Sequence, residues 1–352
     1  MIKEKIIENV GVIYLDRPKQ INALNSDTIK KISEILKKWE NDDKVKVVLF
    51  DSLSDKGFCA GGDLKEIYNE FLINDDCADK DGFFKIEFDL DKYVKNYKKP
   101  IISHWYGVTM GGGIGLTINS DFIIIDETVN WAMPETSLGF VPDVGVCKYI
   151  SSLPQALGQY VGLCGVSLES SDLIEYNLAD VYINSKDYEK LITKLYDLSK
   201  NYEGDQLIEN LNKEAKKWEV KDNESEIDKN IDKINKYFSH SSLNEIFENL
   251  KDNTDDEFAK KCYYTLKERD PFMLTIQFEK YFVCKELSYE ETIDLDLRII
   301  QYAINKNSIK EGIRAKIIDK DNNPSWPCRS LDDISIQEVK DLLSIDKAYE
   351  ER

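Results

Sequence analysis

The chain has 352 residues, of which 42% are hydrophobic, and its 47 basic and 66 acidic residues give a formal net charge of −19. A chain of this length can bury one large core or two smaller ones. Its strong negative charge argues against nucleic acid or an anionic membrane as the main partner, so an anionic ligand would need a local basic patch.

The N-terminus enters a strand-like pattern almost at once, without the apolar core of a secretion signal or an Arg/Ser-rich leader. No apolar run reaches the roughly 20 residues that a membrane helix needs. The seven cysteines form no CxxC pair, so we predict reduced thiols without disulfides or a zinc ribbon. These features predict a cytoplasmic protein. A mitochondrial matrix location is the alternative if a transit peptide is cryptic or has been removed.

The first third of the chain contains a strand pattern, a helix pattern and a second strand pattern. Val10–Leu15 is predicted to be a strand, with a turn at Arg17–Lys19, and Ser26 is predicted to cap a helix of apolar residues at helical spacing. Lys44–Ser52 is typical of a buried strand. It runs into GFCAGGDLKEIY, in which glycines precede a helical stretch: Gly57, Gly61 and Gly62.

A second glycine turn follows about fifty residues later. Ile101–Val108 predicts a buried strand, which leads into Gly111–Gly113 and a helix from Ile114. Glycine allows a positive φ and close approach to the backbone, and N–H groups at a helix start suit a negatively charged oxygen. Two such turns can place two N–H donors around one oxygen, as in an oxyanion hole. MGGGIGL is not a GxGxxG fingerprint, so a dinucleotide site is not favoured.

Carboxylates follow the second turn. A predicted strand, Asp121–Glu127, leads to MPETSLGFVPD, which places Glu135 and Asp143 in one loop. Either residue alone could be a solvated loop carboxylate, a helix cap or a turn residue. Glu87, in the helical stretch FFKIEFDLDKYV, would by itself be a surface residue. His104 lies in an apolar strand and is expected to be a hydrogen-bonded core residue, so a histidine-centred triad is not expected.

The character of the sequence changes after Ile183. Ser185–Asn305 is predicted to be mainly helical, and Ser242 with Glu245 three residues on is a capping pattern. Ser308–Pro327 predicts a helix and a proline-bounded loop, and one short helix is expected after Arg329. Strand, glycine turn and helix recur in the first half, which favours stacked βα-type turns. These residues alone do not separate a spiral of such turns from a single sheet.

The stretches GFCAGGDL, MGGGIGL, AMPETSLGFVPDVG and EGIRAKIIDKDNNPSWP together resemble the crotonase (enoyl-CoA hydratase/isomerase) superfamily, and more closely its 3-hydroxyisobutyryl-CoA hydrolase branch. The resemblance implies an α/β fold, with a crotonase-type spiral of ββα turns in residues 1–184 and a helical C-terminal region in residues 185–352 completing the same unit. It also implies a CoA thioester whose carbonyl oxygen is held by the backbone N–H groups of Gly62 and Gly112. Related enzymes often form homo-oligomers, and this state stays open.

The same resemblance bears on the reaction. Hydratases of the superfamily place a glutamate just after the glycine turn, where this chain has Gly115, and a second glutamate that matches Glu135. The hydrolase branch has an aspartate that matches Asp143. The resemblance implies that Glu135 acts as nucleophile or as general base. Asp143 would orient or deprotonate the hydrolytic water, or bind the substrate hydroxyl.

Substrate binding is implied for Glu87, Gly112, Glu135 and Asp143. CoA contacts are implied for three residues near the two turns, although the lysines could be plain surface residues: Lys19, Lys56 and Ala60. Neither a metal nor a cofactor beyond the CoA of the substrate is expected. The sequence thus predicts hydrolysis of a short 3-hydroxyacyl-CoA, 3-hydroxyisobutyryl-CoA, in valine breakdown. The alternatives are an enoyl-CoA hydratase or isomerase, and a non-catalytic acyl-CoA-binding or scaffold protein.

Overall fold

The computed structural model describes residues 1–221 and 224–344. The described residues form two compact units. Unit 1 comprises Met1–Asp63, Ile86–Trp131 and Leu168–Ile227, and unit 2 comprises Leu64–Lys85, Ala132–Ser167 and the described residues from Asp228 onward. These units do not follow the division after residue 184, which marks a change in sequence character and stays a prediction.

Strands are concentrated in unit 1. Among the described residues, six of them form a sheet in the order β1-β2-β3-β4-β6-β8, in which β1 and β2 are antiparallel and the other neighbours are parallel. A smaller sheet pairs β5 with β7. The strands are β1 (Ile2–Ile7), β2 (Val10–Leu15), β3 (Val47–Ser52), β4 (Ile101–Trp105), β5 (Val108–Met110), β6 (Phe122–Ile125), β7 (Asn130–Ala132) and β8 (Val181–Tyr182).

Helices connect the parallel strands, as parallel pairing requires. The α-helices whose residues lie in unit 1 are Ser26–Glu40, Gly112–Thr117, Ser170–Glu175, Ser185–Ser199 and Gly204–Ala215. Two further helices have residues in both units, Gly82–Lys95 and Glu226–Phe238. Pro18–Gln20 forms a short 3-10 turn. The predicted α/β class with a helical C-terminal region is confirmed.

Unit 2 is helical. Its α-helices are Leu64–Glu66, Cys147–Ile150, Gln155–Cys164, Leu243–Asp252, Glu257–Lys267, Pro271–Glu286, Tyr289–Asn305, Ser308–Ile313 and Ile336–Leu343. The segments Ile67–Leu72 and Arg314–Ile318 are π-helical, and Glu135–Leu138 and Leu331–Asp333 are 3-10 turns. The predicted helical character of Ser185–Asn305 is confirmed where the chain is described; residues 222–223, and residues 345–352 of the predicted C-terminal tail, lie outside the described part.

The core of unit 1 lies between the sheet and the helices that cover it. Leu49, Ile102 and Ile124, from three neighbouring parallel strands, are buried together with Leu191 and Leu207 from the covering helices. Each fully buried leucine or isoleucine contributes about 1.5–3 kcal/mol. Because parallel strands are covered on both faces, they form continuous apolar runs, and this is why β3 and β4 were predictable.

Two local predictions are wrong. The strand expected over Ile101–Val108 is interrupted between Trp105 and Val108, because Gly107 takes φ +49 and a Cβ there would lie 2.4 Å from the carbonyl oxygen of Lys56. The cap of the first helix is Asn25 and not Ser26, since the Asn25 side chain accepts a hydrogen bond from the backbone N–H of Thr28. The predicted cap at Ser242 is confirmed.

His104 is a core residue, as predicted. It is 5% exposed, and its Nδ1 lies 3.4 Å from Asp51 Oδ1 while its Nε2 lies 3.6 Å from Asp126 Oδ2. Its ring stacks on Tyr188 with the ring centroids 3.6 Å apart. Burial lowers the pKa of His104, but the two carboxylates outweigh burial and raise that pKa above its usual 6.5. The raised pKa favours the charged imidazolium, which lies between Asp51 of β3 and Asp126, the residue after β6.

This arrangement predicts a pH-dependent contribution to stability. Because the folded-state pKa of His104 is raised, its stabilisation is complete below the unfolded pKa near 6.5 and is lost as pH rises through the folded value. His104→Gln should lower the free energy of unfolding by about 3–5 kcal/mol at pH 6, since it leaves buried carboxylates without their counter-charge. Urea unfolding between pH 6 and pH 9 tests this. An equal loss of stability at every pH would contradict a role for the imidazolium.

Candidate active site

The two glycine turns lie side by side in unit 1. The backbone N–H of Cys59 donates to Val108 O at 3.0 Å, and that of Met110 donates to Cys59 O at 2.9 Å. Gly61 has φ +95, a conformation that favours glycine, and a Cβ there would lie 3.4 Å from the Gly112 nitrogen. The fold therefore brings together turns that are separated by about fifty residues in the sequence.

Two backbone donors meet where the turns touch. A Cβ placed on Gly112 would lie 3.4 Å from the nitrogen of Gly62. Gly112 is the first residue of helix Gly112–Thr117, which begins two residues before the predicted start at Ile114, so its N–H has no partner one turn earlier. Within the described residues, neither of these amides donates to a backbone oxygen. The two amides therefore lie close together at the junction of the turns.

Glu87 lies directly against this point. Its side chain is only 3% exposed, and its Oε1 would lie 2.1 Å from a Cβ on Gly112. This burial excludes the surface interpretation that the helical stretch suggested by itself. It also explains the residue at 112, because glycine there leaves room for the carboxyl group of Glu87.

The residues on either side of Gly62 are fixed by backbone hydrogen bonds. Leu24 N–H donates to Gly61 O at 2.8 Å, and Asp63 N–H donates to Leu24 O at 2.7 Å. Arg17 forms an ion pair with Asp63 at 2.8 Å. The direction of the Gly62 amide is thus determined by its neighbours and not by the glycine itself.

Asn22 fixes the strand before the same turn. It is 2% exposed, and its Nδ2 donates to Phe58 O at 2.8 Å and to Ser52 Oγ at 2.7 Å. The sequence interpretation did not single out Asn22, Arg17 or Asp63 as site residues. A sequence feature that could have revealed this cluster is the polar Asn22 between two apolar residues, Ile21 and Ala23.

The residues expected near CoA also lie in unit 1. Lys19, in the 3-10 turn Pro18–Gln20, and Lys56 are both exposed. The N–H of Ala60 donates to Ile21 O at 2.9 Å, so this amide is already used within the protein. The lysines are accessible to a ligand, and a CoA contact of all three residues stays a prediction.

Glu135 is buried in unit 2. It begins the 3-10 turn Glu135–Leu138 after Pro134, and it is 4% exposed. The next side chain, Thr136, donates from Oγ1 to Leu163 O at 3.0 Å, and Gly139 ends the turn with φ +80. The solvated-loop alternative for Glu135 is therefore excluded. A carboxylate held at the start of a fixed turn can act as a base or a nucleophile.

Asp143 is buried in the same unit, in a turn with unusual backbone angles. It is 5% exposed, and the next two residues, Val144 and Gly145, have φ +50 and φ +74. Burial and then the negative charge of Asp296 raise the pKa of Asp143 to about 8, against the opposing effect of Lys280. The raised pKa favours the protonated form, and a protonated carboxyl group can donate a hydrogen bond.

A buried ion pair lies behind this turn. Lys280 and Asp296 are both 0% exposed, and Lys280 Nζ lies 2.5 Å from Asp296 Oδ1. Sequence analysis missed both residues, which fall in the helical half of the chain. The available signal was a lysine in QFEKYF, on a helix whose other residues are largely apolar and buried.

The described residues contain neither a metal-binding cluster nor a membrane-spanning helix. In ranges 1–221 and 224–344, no group of three or more His, Cys, Asp or Glu residues is placed to hold a metal ion. Within the same ranges, no helix is long and apolar enough to cross a membrane. All seven cysteines are free thiols.

A family model and several relatives place the chain in the same family. The family model described as enoyl-CoA hydratase/isomerase matches residues 10–343. A protein of Xenopus laevis named "3-hydroxyisobutyryl-CoA hydrolase, mitochondrial" is 35% identical over 92% of this chain and 84% of its own length. Proteins of the same name from Danio rerio and Homo sapiens are 33% and 30% identical, over 96% and 94% of this chain and 88% and 84% of their own lengths.

Solved structures support the same fold. A carnitinyl-CoA dehydratase from Mycobacterium thermoresistibile is 26% identical, with a TM-score of 0.85 over 100% of this chain and 99% of its own. An enoyl-CoA hydratase from Rhodobacter sphaeroides 2.4.1 is 29% identical, with a TM-score of 0.86 over 97% of both chains. The crotonase-type fold predicted from the sequence is confirmed.

Proposed function

Because the chain belongs to the enoyl-CoA hydratase/isomerase family, we propose that it hydrolyses 3-hydroxyisobutyryl-CoA to 3-hydroxyisobutyrate and CoA. The observation that carries this proposal is the 30–35% identity, over more than nine-tenths of the chain, to relatives named for that reaction. The chain is thus an acyl-CoA thioester hydrolase. We place the reaction in valine breakdown.

The chemistry begins with the thioester carbonyl. An oxygen nucleophile attacks the carbonyl carbon, the C–S bond breaks, and CoA leaves as a thiolate that takes up a proton. The carbonyl oxygen gains negative charge during the attack. We propose that the N–H groups of Gly62 and Gly112 donate to this oxygen, and each such donor is worth about 3–4 kcal/mol in a preorganised site. Their proximity in unit 1 supports this role.

Glu135 is the carboxylate that we propose for the attack. It either takes a proton from the attacking water or attacks the carbonyl carbon itself, giving an anhydride that water then opens. Its position supports both routes, since the carboxyl group is kept out of bulk water and held at the start of the turn Glu135–Leu138.

Asp143 has a different proposed role. A carboxyl group with a pKa of about 8 is a poor base at neutral pH but a good hydrogen-bond donor. We propose that it binds the 3-hydroxyl group of the substrate, which distinguishes 3-hydroxyacyl groups from plain acyl groups. Glu87, which lies against Gly112, is proposed as a further substrate contact.

A hydratase is the second candidate, because the two solved structures at 26% and 29% identity are titled dehydratase and hydratase. Gly115 argues against it. This residue lies in the helix that follows the glycine turn, where the family resemblance puts a glutamate in hydratases, and it offers no acid or base. Addition of water to a double bond needs proton transfer at two atoms, so the loss of one group disfavours it.

The deciding experiment measures free thiol. Purified protein is mixed with 3-hydroxyisobutyryl-CoA or 3-hydroxypropionyl-CoA and a thiol reagent, with crotonyl-CoA hydration followed in parallel. We expect rapid thiol release and little loss of the enoyl absorbance. Hydration of crotonyl-CoA without thiol release would overturn the hydrolase in favour of a hydratase. Neither reaction, with retained binding, would indicate an acyl-CoA-binding protein.

We propose that the reaction uses no metal and no redox cofactor, because acyl transfer to water moves no electrons between molecules and a carboxylate with two N–H donors supplies what it needs. A homo-oligomer and the absence of membrane or nucleic-acid partners stay predictions. The names of the relatives call those proteins mitochondrial. The cytoplasmic location predicted here, and its matrix alternative, can be separated by cell fractionation.

A further inference from the structure

The backbone around Asp143 is held at three points by residues from two helices of unit 2. Lys280 Nζ donates to Pro142 O at 2.5 Å, and the hydroxyl of Tyr289 donates to Val144 O at 3.2 Å. The N–H of Gly145 donates to Asp296 Oδ2 at 2.8 Å. Because Lys280 and Asp296 also form an ion pair at 2.5 Å, the two ends of the turn are joined through one buried pair.

The turn needs such support. Val144 is β-branched and has φ +50, a region that L-residues with bulky side chains rarely adopt. Gly145 has φ +74, and a Cβ there would lie 2.2 Å from the ring of Tyr289. A strained backbone persists only where its surroundings over-determine it, and such strain is concentrated at functional sites.

A buried ion pair is in general a weak source of stability. Removing two charges from water costs nearly as much as their attraction returns, and apolar replacements are often neutral. Lys280 and Asp296 are both 0% exposed, so this cost applies in full. What distinguishes the pair is its hydrogen bonds to the backbone of the Asp143 turn. Lys280 donates to Pro142 O, and Asp296 accepts from the N–H of Gly145.

We propose that Lys280 and Asp296 are positioning residues, which clamp both ends of the turn 142–145 and thereby fix the carboxyl group of Asp143 for the reaction. This inference rests on the proposed function for its catalytic consequence. The clamp itself is a property of the fold and can be measured without substrate.

The titratable side chains around Asp143 and Lys280 come from three helices, Cys147–Ile150, Pro271–Glu286 and Tyr289–Asn305. Asp143 faces Asp296, from helix Tyr289–Asn305, and Lys280, from helix Pro271–Glu286. The thiols of Cys147 and Cys284 face Lys280. Asp296 raises the pKa of Asp143 and Lys280 lowers it, so removing one or the other charge should move this pKa in opposite directions. Loosened packing alone would not give shifts of opposite sign.

The test uses three clamp variants: Asp296→Asn, Lys280→Met and the double variant that combines them. Each is compared with a control variant, Lys148→Met. Lys148 is the matched control, because its side chain donates to the carbonyl oxygens of Cys284 and Lys285 at the end of the Lys280 helix. Its backbone N–H donates to Gly145 O at 3.1 Å, and Lys148→Met keeps that hydrogen bond. The double variant leaves no unpaired buried charge, so it provides a folded sample if a single variant does not fold. Amide hydrogen exchange of the peptide containing Gly145, and kcat and KM for thiol release, are measured for each.

We expect exchange at the turn to rise at least tenfold in every clamp variant, and kcat to fall about 10- to 100-fold with KM within threefold of wild type. Because the protonated carboxyl group of Asp143 is the proposed donor, activity should fall as pH rises through its pKa. The midpoint of this fall should move to lower pH in Asp296→Asn and to higher pH in Lys280→Met, while Lys148→Met matches wild type. A folded double variant with wild-type exchange and kcat would overturn the proposal. If the wild-type protein releases no thiol, the proposed function fails, and the exchange data still decide whether the clamp exists.

Discussion

Glu135→Gln should almost abolish thiol release from 3-hydroxyisobutyryl-CoA while leaving the fold intact. The substitution keeps the size and burial of the side chain but removes its ability to take a proton or to attack a carbonyl. If Glu135 is a general base, kcat should fall by about 10²–10⁴. If it is the nucleophile, the loss should be larger, on the order of 10⁶. The steady-state kcat distinguishes these two ranges of loss. The variant must be assayed at high enzyme concentration, because its kcat is low.

The matched control is Glu257→Gln, which changes a carboxylate of the same unit whose side chain is 86% exposed. It should keep wild-type kcat and wild-type thermal stability. A Glu135→Gln variant with more than a tenth of wild-type activity would remove Glu135 from the mechanism. Loss of activity together with a large fall in melting temperature would instead assign Glu135 a structural role.

Local sequence patterns predicted much of the fold. Continuous apolar runs identified β3 and β4, and glycines after each run identified the turns whose amides meet at Gly62 and Gly112. The break at Gly107 was not predictable, because the run stays apolar through it. What breaks the strand is contact with the backbone of Lys56, which lies 51 residues earlier.

The part of the candidate site that sequence analysis missed depends on distant contacts. Lys280 reaches Pro142 across 138 residues, and Asp296 reaches Gly145 across 151. No periodicity records a partner at that separation, and a lysine in a helix is usually exposed. The burial of Glu87 was missed for the same reason, since its neighbour Gly112 belongs to another segment.

Gly112→Ala should disable the proposed oxyanion site, which holds the thioester oxygen, while leaving the attacking group Glu135 unchanged. The new methyl group would lie 2.1 Å from Glu87 Oε1 and 3.4 Å from the nitrogen of Gly62, so the carboxyl group must move or the turn must shift. Either change misplaces a donor for the thioester oxygen. Loss of one such donor lowers kcat by about 10²–10³. Thiol release under saturating substrate measures this.

Two further variants separate a blocked donor from a weakened fold. Gly204→Ala, in the same unit, meets nothing within 4 Å but has φ +55, so it strains the backbone by about 1 kcal/mol without contacting the turns and should keep wild-type kcat. Glu87→Ala combined with Gly112→Ala makes room for the methyl group. If the double variant is no more impaired than Glu87→Ala alone, the contact with Glu87 accounts for the whole effect of the methyl group, since alanine keeps the amide N–H at position 112. If it loses a further hundredfold, the methyl group acts on the amides themselves, because nothing else within reach of position 112 has changed.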